Sequence, residues 1–208
     1  MAEKLGPAFN RLFSASVISN LADGLLATAA PLLAISLTKD PVLISMLSAL
    51  VMLPWLLFAI PIGLVVDKVD KRQLVTFTNS IRFIVAGLIA LAIATDTITI
   101  YWLLLATFLI GTCEVAADTA AQSLIPVMLE KNQFESANSR LNIAQTVVQN
   151  FIGAPLSGFL YATAIALPFM LNSLGFLIAA IFVLMIPAHY IHKATPLDAN
   201  QAEKKSFR

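Results

Sequence analysis

The stretch Gly63-Leu64-Val65-Val66-Asp67-Lys68-Val69-Asp70-Lys71-Arg72 decides how this chain folds. It ends one long apolar run with five charges in six residues, and another apolar run begins a few residues later. A charged side chain at the centre of a bilayer costs about 2.5–3.5 kcal/mol, so a cluster of charges is expected in water. The stretch therefore predicts a tight aqueous turn between two membrane-spanning helices. A generic positive loop that only fixes topology is the alternative.

The composition of the chain is that of a helical membrane protein. Of its 208 residues, 59% are apolar and only 12% are charged, whereas a soluble domain has about 25% charged residues. The apolar runs are continuous over about 20 positions, which is the length of a spanning helix, whereas barrel strands alternate apolar and polar positions. We predict an all-α polytopic membrane protein. The net charge of +1 and the single cysteine, Cys113, give no reason to expect a nucleic-acid partner, a cofactor or a metal site.

Six membrane-spanning helices are predicted, at approximately residues 13–37, 42–66, 74–95, 100–122, 141–164 and 168–187. We reject a secretory signal for the first of them, because its apolar run continues and further spans follow. We expect residues 1–12 to form a polar N-terminus and residues 188–208 to form a polar tail or the start of a linker.

Between the fourth and fifth spans we expect an aqueous link at residues 123–140. Ile125-Pro126 is predicted to end the fourth helix, because proline cannot donate a backbone hydrogen bond. Residues 134–138 are a candidate for a short surface helix.

The basic residues predict the orientation. If the N-terminus is cytoplasmic, 11 of the 13 Lys and Arg residues fall in cytoplasmic segments. Of the other two, Lys39 lies in an outer turn and Arg82 lies within a span. Because basic residues concentrate on the cytoplasmic side of a membrane protein, both termini and the loop at residues 63–72 are predicted to be cytoplasmic.

Ionisable residues inside the spans are candidate functional groups, because such residues normally face a cavity or a partner. Asp23 lies about 15 Å into the first span, near mid-bilayer, and Asn20 shares its face. A buried Asp23 that is satisfied by the neighbouring backbone or by Asn20 is the alternative. Arg82 and Glu114 lie at similar depths, and we expect them to pair. A static pair that only holds the fold, or an Arg82 that extends to the interface, are the alternatives.

Polar side chains on the fourth and fifth spans indicate a cavity. The fourth span carries a polar stripe at helical spacing, formed by Thr107, Gly111, Glu114 and Asp118. We expect polar groups of the first, fourth and fifth spans to line one cavity: Asn20, Thr107, Asn142, Gln145 and Gln149. The sixth span is almost wholly apolar, so we expect it to pack against other helices or to face lipid.

The loop stretch resembles a motif of the major facilitator superfamily. That motif reads Gly-x-x-x-Asp-Arg/Lys-x-Gly-Arg/Lys-Arg/Lys, and this chain matches it with Gly63, Asp67, Lys68, Lys71 and Arg72. Where most members have glycine the chain has an acid, Asp70, which is familiar in the branch of the enterobactin exporter and macrolide efflux permeases. The segment at residues 20–24 and the link at residues 126–138 are also similar to that branch.

A second stretch, Gly153-Ala154-Pro155-Leu156-Ser157-Gly158, resembles the fifth-span motif of drug/proton antiporters, Gly-Pro-x-x-Gly-Gly. Ala154 and Phe159 replace two of its glycines. The resemblance covers the whole chain but only the first half of the family's fold, which has two six-helix halves. It implies the N-terminal half of a secondary transporter of the bacterial inner membrane. The missing partner would be a C-terminal half or a second copy.

The resemblance also implies roles for individual residues. Asp67 would face the N-terminal end of a helix in the missing half, and Lys71 or Arg72 would reach Asp118 as part of a cytoplasmic latch. Asp23 and Glu114 are the candidates for proton coupling. The implied activity is proton-coupled efflux of a small amphipathic or hydrophobic compound, such as a drug, a macrolide or a siderophore-like molecule. The alternative is a non-transporting fragment or a membrane partner subunit, and an enzyme has no support.

Overall fold

The computed structural model of the protein describes residues 5–187. The predicted tail at residues 188–208 and the first four residues lie outside this range, and with them several of the basic residues that predict the orientation. Within residues 5–187 every regular element is helical, which confirms the predicted all-α class.

Seven α-helices follow one another along the described chain, with a 3₁₀ turn at Lys131–Gln133. Their bounds are α1 Gly6–Leu37, α2 Pro41–Val66, α3 Lys71–Ala94, α4 Ile100–Met128, α5 Phe134–Thr146, α6 Ala154–Thr163 and α7 Leu167–Leu184. A π-helical segment, Val147–Gly153, joins α5 to α6. Helices α1 to α4 and α7 are each long and apolar enough to cross a membrane. The fifth predicted span is instead divided among α5, the π segment and α6, so five candidate spans are found where six were predicted.

Side chains at the turns cap the helices that follow. The Asp40 carboxylate accepts a hydrogen bond from the Val42 amide at 2.8 Å, and the Asp70 carboxylate accepts one from the Gln73 amide at 3.1 Å. An acidic N-cap satisfies a backbone N–H that has no partner within the helix. Asp70, which stands where the similar loop motif has glycine, therefore helps α3 to begin immediately after the charged turn.

The prediction that Ile125-Pro126 ends the fourth helix is wrong. Helix α4 continues through this pair to Met128, and Leu124 and Ile125 are both buried. Because Ile125 packs with Phe9 of α1 and with Ala137 of α5, apolar contacts hold the last turns of α4 in place.

Two other helix boundaries also differ from the prediction. Residues 134–138 are not a separate surface helix but the first turns of α5, which continues to Thr146. At the N-terminal end α1 already begins at Gly6, and its first turns bury Phe9 and Leu12. The first helix thus begins seven residues before the predicted start at residue 13, and apolar side chains of its first turns are buried.

Helix α7 packs against both α1 and α3. Its two polar residues are buried and face these neighbours: the Asn172 amide donates to the carbonyl oxygen of Ala22 at 2.6 Å, and the Ser173 hydroxyl donates to the carbonyl oxygen of Phe83 at 2.8 Å. One side of this helix therefore packs against α1 and α3, while side chains such as Met170, Leu174 and Ile181 are exposed on the other side, which stays a candidate lipid-facing surface.

Helix α1 and the π segment cross at a pair of glycines. A Cβ atom added to Gly24 would lie 2.3 Å from the carbonyl oxygen of Gln149, and one added to Gly153 would lie 2.9 Å from the Cα of Gly24. Only residues without a side chain fit at this distance. The Ser157 hydroxyl donates to the carbonyl oxygen of Leu25 at 2.6 Å and fixes the same crossing.

Candidate functional site

Arg82 is the centre of a buried polar cluster. Its side chain is fully buried, and its Nη2 atom forms an ion pair with the Asp23 carboxylate of α1. The same nitrogen lies 3.9 Å from the Glu114 carboxylate of α4. The expected approach of Arg82 to Glu114 is thus present, but the nearer partner is Asp23, which the sequence did not lead us to pair with Arg82. Full burial rules out the alternative in which Arg82 extends to the interface.

Three further groups surround the guanidinium. Its Nη1 atom donates to the Ser19 hydroxyl at 3.2 Å and to the Asn79 amide oxygen at 3.5 Å. Its Cζ atom lies 3.9 Å from the centroid of the Phe176 ring on α7. Of the three guanidinium nitrogens, Nε has no hydrogen-bond partner among the described residues. Three helices besides its own, α1, α4 and α7, therefore fix the position of one charged group.

A cavity of about 60 Å³ lies between Arg82 and the end of the bundle that carries the charged loop. We call it the motif-side cavity. Its polar lining comes from α1, α3, α4 and α5: Ser16, Ser19, Asn20, Asn79, Asp118, Gln122, Asn138, Asn142 and Gln145. Nine of the sixteen lining residues thus carry side chains that can hydrogen-bond, and one of them, Asp118, is a carboxylate.

A second cavity, of about 260 Å³, lies on the other side of Arg82, toward the opposite end of the bundle. We call it the far-side cavity. Four of its lining residues are polar groups already named: Asp23, Thr107, Glu114 and Gln149. The rest of the wall is mostly apolar and comes from α1, α2 and α4, with residues such as Leu26, Pro31, Val51, Met52 and Ile110.

The polar residues expected to line one cavity are divided between two. Asn20, Asn142 and Gln145 line the motif-side cavity, whereas Thr107 and Gln149 line the far-side cavity. The stripe on α4 is divided in the same way, with Asp118 in one cavity and Glu114 in the other. Arg82 and its partners form the layer between them.

Arg72 of the loop motif does not make the predicted contact. Within residues 5–187 neither Lys71 nor Arg72 forms an ion pair with Asp118. The Arg72 guanidinium instead donates to the carbonyl oxygens of Val183, at 3.4 Å, and Leu184 at the end of α7. The last carbonyls of a helix have no partner within it and carry partial negative charge, so they attract this cation in place of Asp118.

The remaining motif residues lie near the surface or in the packing. Asp67 and Lys68 are exposed at the turn after α2, and Gly63 is half-buried one helical turn earlier. In the fifth-span motif, Gly153 is buried against α1 and Pro155 is exposed, while a Cβ atom added to Gly158 would meet nothing within 4 Å. The two glycines of this motif therefore have different surroundings.

Sequence reasoning missed Ser19, Asn79 and Phe176 as partners of Arg82. Asn79 lies one turn before Arg82 on α3, so its spacing could have identified it. Phe176 is one of 13 phenylalanines in the chain, and no local pattern shows which of them packs on a cation.

Comparison with known proteins identifies the family. No curated protein and no solved structure matches the chain significantly. Residues 12–208 match the family described as Major Facilitator Superfamily, and this match covers most of the chain. The helical fold and its apolar, membrane-spanning helices agree with it. The chain therefore belongs to the major facilitator superfamily, which is a family of transporters.

Proposed function

We propose that the chain is the N-terminal half of a proton-coupled exporter of small amphipathic or hydrophobic compounds, which works by alternating access. The observation that carries the proposal is the position of Arg82, which is paired with Asp23, lies within reach of Glu114 and separates two cavities. A group that divides two cavities and has two possible counter-ions can change partner when one counter-ion loses its charge.

The balance of charge favours a proton as the coupling ion. Three carboxylates, those of Asp23, Glu114 and Asp118, lie around the single guanidinium of Arg82. Opposite charges attract strongly where water is excluded, and unmatched charge there is unfavourable. A proton on one carboxylate reduces this excess of negative charge. Protonation of Asp23 would release Arg82, which would then pair with Glu114. Loss of that proton from Asp23 would return Arg82 to Asp23.

The far-side cavity is suited to the transported molecule. Binding sites for small molecules are mostly apolar, with a few polar groups that orient the ligand. This cavity has such a wall, and Thr107 and Gln149 lie in it beside the two carboxylates. We infer an amphipathic or hydrophobic substrate of the drug, macrolide or siderophore-like class.

A partner is proposed for the exposed faces of α2 and of the fifth helical region. Leu56 and Ile60 on α2 are 82% and 81% exposed, and Phe151 in the π segment is 73% exposed. Transporters of this type rock two six-helix halves around one site. We therefore propose that these faces meet a C-terminal six-helix half or a second copy of the chain, with lipid around the assembly, in a bacterial inner membrane and with cytoplasmic termini.

The alternative is a fragment or partner subunit that does not transport. The same exposed faces favour it, because any other membrane protein could cover them. The mass of the assembly in detergent and its activity in liposomes distinguish the two. A half-transporter forms an assembly with a second six-helix half or a second copy, and that assembly moves protons, whereas a fragment or partner subunit forms no assembly whose proton movement depends on Asp23 or Glu114.

The proposal is tested in liposomes that contain the chain in its assembled form, purified with a C-terminal six-helix half or as a dimer, together with the internal pH indicator pyranine. In the presence of an imposed pH gradient, addition of ethidium or erythromycin should move protons in the wild type. Asp23→Asn and Glu114→Gln should each abolish that movement. Glu130→Gln removes an exposed carboxylate from the link before α5 and serves as the matched control. Proton movement that persists in both Asp23→Asn and Glu114→Gln would contradict proton coupling through these residues.

A further inference from the structure

The ring of Phe176 lies against the guanidinium of Arg82. Both side chains are fully buried, and the Arg82 Cζ atom lies 3.9 Å from the ring centroid. A cation over the face of an aromatic ring is attracted to it, and the attraction grows when water is excluded. The contact therefore acts on the charged group itself, in addition to filling space.

The contact leaves the edge of the guanidinium free to bind other groups. Its N–H groups point outward in the plane of the guanidinium, where they meet Asp23, Ser19 and Asn79. The attraction to the ring face does not depend on which of these edge groups is bonded. A small in-plane shift of the guanidinium therefore keeps its contact with Phe176.

Two carboxylates compete for one nitrogen of this guanidinium. Nη2 is paired with Asp23 and is 3.9 Å from Glu114, so a small movement changes the partner. We propose that Phe176 is a positioning residue for this exchange: its ring holds Arg82 where the same nitrogen can serve Asp23 or Glu114. This inference rests on the proposed function, because proton coupling is what would make Arg82 change its partner.

The charged and titratable groups around Arg82 come from two of the packed helices. Helix α1 contributes Asp23, and α4 contributes Glu114 together with the more distant Asp118 and Cys113. Helix α7 contributes the Phe176 ring. Without the ring, the guanidinium loses a contact that holds it beside both Asp23 and Glu114.

The test measures the exchange directly in the purified chain in lipid. Asp23→Asn removes the first partner, and solid-state NMR then measures the dipolar coupling between the Arg82 guanidinium nitrogens and the Glu114 carboxylate carbon. Loss of the signal in Glu114→Gln assigns it. We expect a strong coupling in Asp23→Asn, and we expect Phe176→Leu, added to it, to reduce that coupling to the level of Glu114→Gln.

Two variants separate the aromatic contact from the packing. Phe176→Tyr keeps the ring face and should keep the coupling. Phe169→Leu removes an equally buried phenylalanine two turns earlier on α7, and it should also leave the coupling unchanged. If Phe176→Leu does not fold, trifluorophenylalanine at position 176 keeps the size of the ring but weakens its negative face, and it should reduce the coupling in the same way.

Two results would overturn the inference. One is an Asp23→Asn protein in which Arg82 and Glu114 show no coupling. The other is a Phe176→Leu or trifluorophenylalanine protein whose coupling equals that of Phe169→Leu. Because the measurement needs no transport, it is independent of the liposome assay. A protein that moves no protons would contradict the proposed function, but it would not change the outcome of the coupling measurement.

Discussion

The guanidinium of Arg82 on α3 is bonded to the carboxylate of Asp23 on α1, at the level where one cavity ends and the other begins. The two helices that carry this pair both pack against α7. The long arginine side chain thus joins helices of which neither is the other's main neighbour. A relative movement of α1 and α3 at this level therefore acts directly on this ion pair.

Removing the arginine should destabilise the bundle severely. Arg82→Gln leaves buried carboxylates without their cation, and the loss of one partner of a buried ion pair costs about 3–5 kcal/mol. The loss should appear as a large fall in the thermal unfolding midpoint in detergent. Asp23→Asn should cost less, because Glu114 lies 3.9 Å from the same nitrogen. An Arg82→Gln protein as stable as the wild type would show that the pair contributes little to the fold.

Gly153 and Gly158 should respond differently to alanine. A Cβ atom at position 153 would lie 2.9 Å from the Cα of Gly24, and overpacking of this kind costs about 1–3 kcal/mol. At position 158 it would meet nothing within 4 Å, and alanine in a helix is about 1 kcal/mol better than glycine. Thermal unfolding of Gly153→Ala and Gly158→Ala measures both effects. Equal losses would argue against the close crossing of α1 and the π segment.

Arg72 and Asp118 should act independently. Arg72→Ala removes the cation from the last carbonyls of α7 and should cost about 0.3–2 kcal/mol of stability. Residues that do not interact have additive effects, so Asp118→Asn should add its own effect to Arg72→Ala without coupling. A double-mutant cycle in thermal unfolding measures this. A coupling energy of about 1 kcal/mol or more would restore the latch that the family's loop motif suggests.

Asp70 should matter as a helix cap. Asp70→Ala removes the side chain that accepts from the Gln73 amide and should cost about 0.5–2 kcal/mol, whereas Asp70→Asn should retain most of the stability. Asp67→Ala is the matched control, because Asp67 is exposed in the same turn and surface substitutions are usually within about 0.5 kcal/mol. Chemical or thermal unfolding of the three variants ranks them. If Asp67→Ala lowers stability as much as Asp70→Ala does, the loss of stability in Asp70→Ala does not come from removal of the helix cap.

The helical class and the family could be predicted from the sequence because they follow from strong local signals. Continuous apolar runs separated by charged turns have few alternatives in a membrane, and the charged loop places Asp67 and Arg72 in a recognisable order. Pro126 shows where local rules fail. A proline rule considers one backbone hydrogen bond, whereas the end of α4 is held by the burial of Leu124 and Ile125 against other helices.

The candidate site could be predicted only in part. The similar depth of Arg82 and Glu114 in the membrane could be predicted by counting residues along each helix, because the rise per residue is nearly constant. Which helix lies beside which depends on rotation and crossing angle, and these are set by packing. The pairing of Arg82 with Asp23 and the choice of Phe176 over Phe169 therefore could not be read from spacing, nor could the division of the polar residues into two cavities.

The central claim of the proposed function is that the Arg82 layer separates the motif-side cavity from the far-side cavity, and we propose that each cavity is reached from a different face of the membrane. It is tested most directly by cysteines at Ser16, in the motif-side cavity, and at Ala27, in the far-side cavity, each in a Cys113→Ala background. A membrane-impermeant thiol reagent is applied briefly and on ice to right-side-out and to inside-out vesicles. We predict that Ser16→Cys reacts only from the cytoplasmic face and Ala27→Cys only from the opposite face. Reaction of both cysteines from the same face would contradict the account.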